Sequence, residues 1–146
     1  MENHNSDLLN ATYKNVTMAT HAIDSIRDKI ADKKLLKLVE KQNEIYEQLT
    51  ADCKTLASEI SQDINAINPF LKMSSSVSIN MKTMMNDETN HIAEMLIQGT
   101  TMGITDIIKS LGEYHTANSK IKNVAINLQH SEEEFVDSLK NFLVKK

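Results

Sequence analysis

Apolar residues recur along this chain at helical spacing, with no strand-like alternation long enough to matter. Leu9, Val16, Ile23 and Ile30 fall every seven positions, and Thr12, Ala19 and Ile26 lie three after the first three of them. That is the two-position seam of a bundle helix. It predicts a first helix capped by Ser6 or Asp7 and reaching about Ala31. The short turn Ala31-Asp-Lys-Lys34, with Asp32 as N-cap, then predicts an antiparallel hairpin. Leu35, Val39, Gln42, Tyr46, Leu49, Cys53, Leu56, Ile60 and Ile67 form the seam of a second helix, from about Lys33 to Ile67. Asn68-Pro69 ends it, because proline lacks the donor a helix needs and restrains the residue before it.

A third helix is expected from near Ser75, with Met81, Met84, Met85, Ile92, Met95 and Leu96 on its inner face. Beyond Gly99 the apolar positions Ile104, Ile107, Ile108 and Leu111 centre about 110° away, more than the ~20° per heptad drift of a straight helix. This predicts an irregularity near Gln98 to Gly103, where the helix bends, bulges or hands over its face. Gly99 and Gly103 each cost about 1 kcal/mol relative to alanine and need a packing reason. Gly112 is a candidate C-cap. Ala117, Ile121, Val124, Ala125, Leu128, Glu132, Phe135, Leu139, Phe142 and Leu143 then give a fourth helix, from about Ala117 to Val144. The expected fold is all-α: a single domain over residues 1–146, an antiparallel up-down-up-down four-helix bundle.

Composition narrows the function classes. A net charge of −4, with Lys and Arg spread along the chain, gives no footprint for nucleic acid. No run approaches the roughly 18 apolar residues of a membrane span, and the N-terminus has no signal pattern, so a cytoplasmic protein is expected. The single cysteine, Cys53, sits on the apolar seam and reads as a buried thiol. Glu40, Glu44 and Glu47 lie off the seam and read as a solvated face.

The informative positions are polar residues on or beside apolar seams. Aligned by height in an up-down-up-down bundle, Arg27, Gln42, Gln98 and Glu132 fall at one level. A charge on a seam is costly unless paired, so an Arg27–Glu132 ion pair completed by Gln42 or a freed backbone carbonyl is the economical reading: a buried polar layer that fixes helix register. The alternative is metal. Glu88-Thr-Asn-His91 has the Glu-x-x-His spacing that di-iron or manganese carboxylate bundles use for a metal-binding or oxidoreductase site. No second such pair occurs and the first helix has no glutamate, so the reading favours no metal cofactor and assigns no catalytic residue. The methionines read as pliable core filling. A small-molecule carrier would need an elongated apolar cavity near Met95 and Met102. Met18, Ile97, Ile126 and Val144 lie off the seams and read either as ordinary exposed hydrophobes or as part of a homo-oligomer patch, and a protein partner is a further expectation.

Across Ala93-Glu-Met-Leu-Ile-Gln-Gly-Thr-Thr-Met-Gly-Ile104, Glu132 and the terminal Leu139-Lys-Asn-Phe-Leu143, the chain resembles a family of small ferritin-like four-helix-bundle proteins of clostridia and related bacteria. The resemblance covers nearly the whole chain and is most specific at Ala93 to Gly99. It implies a ferritin-like, cytoplasmic, bacterial bundle with no established activity, and adds weight to Gln98, Gly99, Gly103 and Glu132. Ferritin-like here implies the fold and not iron chemistry. The function expected from the sequence is a non-enzymatic interaction or stress-related module with a structural polar layer.

Overall fold

The computed structural model describes residues 4–61 and 88–144. Within them the chain forms four α-helices and no strand: α1 (Asn5–Ile26), α2 (Lys33–Glu59), α3 (Thr89–Glu113) and α4 (Ser119–Leu139). Short 3₁₀ turns, Arg27–Lys29 and Lys140–Phe142, follow α1 and α4. No described helix is long and apolar enough to cross a membrane.

Side-chain caps fix two of the helix starts. Asp32 Oδ1 accepts from the Leu35 N–H at 2.8 Å, and Asn118 Oδ1 from the Ile121 N–H at 2.9 Å, each satisfying a donor the helix itself leaves open. Other boundaries differ from expectation. His4, and neither Ser6 nor Asp7, precedes α1, and its side chain makes no capping bond. α2 ends at Glu59, short of Ile67, where Ser61 enters the left-handed region with φ of 55°. Gly112 lies inside α3, whose cap is Tyr114. Asn68-Pro69, Ser75, Met81, Met84 and Met85 lie outside the described residues.

Contacts between helix ends set the directions. The His4 N–H donates to Thr116 Oγ1 at 3.2 Å, and the Asn118 N–H to Asn5 Oδ1 at 2.7 Å. Lys120 lies 3.8 Å from Glu59. One end of the bundle therefore gathers the starts of α1 and α4 and the ends of α2 and α3. With α1 pointing up, α2 and α3 both point down and α4 points up. This corrects the alternating up-down-up-down order: Ser61 and Glu88 lie at opposite ends of the bundle, and α2 and α3 run parallel. α1 packs against α2, α3 and α4, and α4 also against α2 and α3, which leaves α2 and α3 as opposite corners.

The predicted seams of α1, α2 and α4 supply most of the buried residues; Leu143, read as part of the last seam, lies beyond the end of α4 and is 40% exposed, and Ile67 lies outside the described residues. Leu9, Val16, Leu35, Val39, Ala125, Leu128 and Leu139 are fully buried, and each large aliphatic side chain removed from water contributes about 1.5–3 kcal/mol. In α3 the outcome differs. The helix is unbroken, and Ile92, Leu96, Thr100, Gly103 and Ile107 form one continuous stripe at steps of three and four. No break or change of winding interrupts the helix at Gln98 to Gly103, and its buried face does not hand over there. Counting only large apolar residues had dropped Thr100 and Gly103 from the stripe, whereas Ile108, which pulled the count round the helix, is 46% exposed. Among the off-seam residues, Ile97 packs against the core, Met18 and Ile126 are half-buried, and Val144 is exposed.

Candidate functional site

The centre of the bundle is built from one residue per helix. The period of α4 carries Glu132 onto the same face as Leu128 and Phe135, where it is 1% exposed. Across the core, Tyr46 of α2 donates its hydroxyl to Glu132 Oε2 at 3.1 Å. From α1, Asn15 Nδ2 donates to the Gly103 carbonyl oxygen of α3 at 2.9 Å. Gly103 makes room for the carboxyl: a Cβ there would stand 3.1 Å from Glu132 Oε2 and 3.4 Å from the Asn15 amide atoms. That close approach is the packing reason for this glycine.

Among the described residues, Glu132 Oε1 has no hydrogen-bond partner, and neither does Nε2 of the buried Gln42, one turn from Tyr46 on α2. Burial pushes the Glu132 carboxyl up to about 8, Tyr46 and Asn15 pull it back, and Asp106 adds repulsion. The Tyr46 phenol is raised well above its usual value, by burial first and by the Glu132 charge next. At neutral pH the pair is therefore mostly protonated, and Glu132 can donate or accept a hydrogen bond or yield a proton.

Glu132 helps line a groove of about 480 Å³ between α1 and α3. Its walls are mostly apolar, with Met18, Ala19, Ala22 and Ile23 on one side and Leu96, Met102 and Ile107 on the other. Tyr46, Glu132 and Phe135 contribute from α2 and α4, so all four helices meet there. Lys14, His21, Asp106 and Lys109 supply its titratable lining.

The structure brings together only part of the layer read from sequence. Gln42 and Glu132 are buried, as expected. Arg27 is not their partner. Its Nε bonds Glu40 Oε1 at 2.6 Å and its Nη1 bonds Asp24 at 3.1 Å, with the guanidinium side chain 34% exposed. Arg27 follows α1 by one residue, whereas Glu132 lies midway along α4, a separation of about 13 Å along the bundle axis. Glu40, read as solvated, is thus half of an ion pair. Gln98 is exposed and does not join the layer. Gly99 lines the groove, and a Cβ added to it would meet nothing within 4 Å.

Glu88 is exposed and directly precedes α3, its carbonyl accepting from the Ile92 N–H at 3.0 Å, and His91 is half-buried. Among the described residues no group of three His, Cys, Asp or Glu side chains could hold a metal ion, so Glu88 and His91 gain no ligand set for iron or manganese there. Cys53 is buried, and its thiol is pushed up to about 12 by burial and by Asp52.

Two residues of the site carried a usable signal that the sequence reading passed over. Tyr46 stands on the predicted α2 seam four residues after Gln42, and Asn15 lies between Thr12 and Ala19 at steps of three and four. Comparisons of the chain with family models, with curated proteins and with solved structures returned no match.

Proposed function

We propose that this protein is a non-enzymatic small-molecule-binding bundle of ferritin-like helix order. The parallel course of α2 and α3 between two antiparallel hairpins supports that order, since ferritin-like bundles carry one long crossover connection. The observation that carries the binding function is the groove between α1 and α3, about 480 Å³, with Tyr46 and Glu132 among its lining. Apolar walls around a few convergent polar groups, within a volume of about 300–1,000 Å³, describe small-molecule sites in general. The mostly apolar lining is why binding is favoured over catalysis.

Titration with the uncharged, polarity-sensitive fluorophore prodan tests this reading. One molecule per chain is expected to bind with a blue-shifted emission. Gly99→Phe, which directs a ring into the open space at that position, is expected to abolish binding while leaving helical circular dichroism unchanged. Absence of binding in the native protein, or unchanged binding by a folded Gly99→Phe variant, would overturn the proposal.

A further inference from the structure

We infer that the groove takes a single extended acyl chain ending in a carboxylate, a free fatty acid in shape and charge, with its head at the end marked by Lys14 and Lys109. This rests on the groove being a binding site and names the ligand class. The lining runs from Ala11 to Ser25 on α1 and from Leu96 to Ser110 on α3, about 21 Å along each helix. A round cavity of about 480 Å³ would be about half as long, so the space is elongated along the helices. Small side chains open it: Ala19 and Ala22 line it from α1, Gly99 and Gly103 from α3, and a Cβ at Gly99 would meet nothing within 4 Å. Met18 and Met102 stand beside them, unbranched side chains that adapt to what they touch.

Charge is distributed unevenly along this length. The Asn15–Gly103 bond fixes the register of the two antiparallel helices, so Lys14 lies level with Ile104 and Lys109 level with Leu9. Both lysines therefore line the half nearer the start of α1, whereas Ala19, Ala22, Leu96 and Gly99 line the other half. Among the described residues neither lysine is in an ion pair, and Lys14 is half-buried. Asp106 lies between them in height and offsets one of the two charges, which leaves that end net positive; His21 is the titratable group of the far half. A carboxylate at the lysine end gains charge-assisted hydrogen bonds while its chain leaves water along the apolar half. An ammonium head there would meet two like charges.

Displacement of prodan by decanoate, decanol and decylammonium at neutral pH tests the head group, and hexanoate, octanoate and the compact adamantanecarboxylate test the shape. Affinity is expected to rise about three- to fourfold with each CH₂ added from hexanoate to decanoate, and adamantanecarboxylate to bind more weakly than decanoate. Decanoate is expected to bind about fivefold tighter than decanol, the ratio that partly exposed charges supply, with decylammonium weakest of the three. The double variant Lys14→Met, Lys109→Met is expected to erase that preference while retaining decanol and prodan. Equal binding of the three head groups, an affinity that does not rise with chain length, a compact anion as tight as decanoate, or a preference that survives the double variant would each overturn the inference. The chain-length and head-group comparisons need no variant, so they decide the matter even if the double variant fails to fold. If prodan binds but these preferences do not appear, the ligand class alone falls; if neither prodan nor any decyl compound binds, the binding function falls with it.

Discussion

Tyr46 donates its hydroxyl to Glu132 Oε2 at 3.1 Å, joining α2 to α4 inside a core from which both residues are almost wholly shielded from water. Tyr46→Phe removes that donor and keeps the ring. The expected result is a loss of about 1–2 kcal/mol of stability in urea denaturation. The Glu132 carboxyl should also titrate still higher, because the bond it loses is one that lowered it. Carbon-detected NMR of the Glu132 carboxyl, followed from pH 5 to 9, measures the second effect.

Glu132 should give the protein an unusual pH dependence. Its folded carboxyl is raised from 4.5 to about 8, so between those values the folded chain holds a proton the unfolded chain has lost. The contribution is therefore present in full below pH about 4.5 and disappears as the pH climbs to about 8, a range on the order of 5 kcal/mol. Comparison with Glu132→Gln isolates that contribution. The difference in unfolding free energy between the variant and the native chain should grow in the variant's favour from pH 5 to 8.

The two glycines of α3 should respond oppositely to a methyl group. At Gly99 a Cβ meets nothing within 4 Å, so Gly99→Ala is expected to stabilise by about 0.5–1 kcal/mol through helix propensity. At Gly103 the Cβ would press on Glu132 Oε2 at 3.1 Å, and that carboxyl is held by Tyr46 with little room to retreat. Gly103→Ala is expected to lose about 1 kcal/mol net, the crowding exceeding the propensity gain. Thermal melts of the two variants side by side check the sign.

Arg27 offers a contrast in scale. A buried Arg27–Glu132 pair would make Arg27→Met cost about 3–5 kcal/mol. The pair actually made, with Glu40, has side chains 34% and 45% exposed, so the cost should stay below about 1 kcal/mol. A double-mutant cycle with Glu40→Gln measures the coupling directly, and salt should weaken it.

Cys53 should be silent in the folded chain. Its thiol is buried and pushed up to about 12, so little thiolate exists at pH 8. Ellman's reagent is expected to titrate no thiol in native protein and one per chain in guanidinium.

The sequence by itself determined which faces are buried. Seven-residue spacing picked out Leu9, Val16 and Ile23, and the same logic put Gln42, Tyr46, Cys53 and Glu132 inside, because a helix's period alone decides which side chains share a side. It also held the Asp32 cap, a local matter between a side chain and an N–H three residues on. The α3 face was legible too, once small residues are counted with large ones, since Thr100 and Gly103 occupy a buried stripe without looking apolar. Partners of the buried polar groups were not legible. Arg27 meets Glu40 within the first hairpin and Glu132 meets Tyr46 between α4 and α2, pairings that spacing within a helix does not encode. Tertiary structure alone decided that Asn15, Tyr46, Gly103 and Glu132 converge, and that the space Gly103 leaves beside a carboxyl continues into a groove. Whether a buried carboxyl is a strut or a binding group depends on which oxygen finds a partner, and that is settled across helices, by distance.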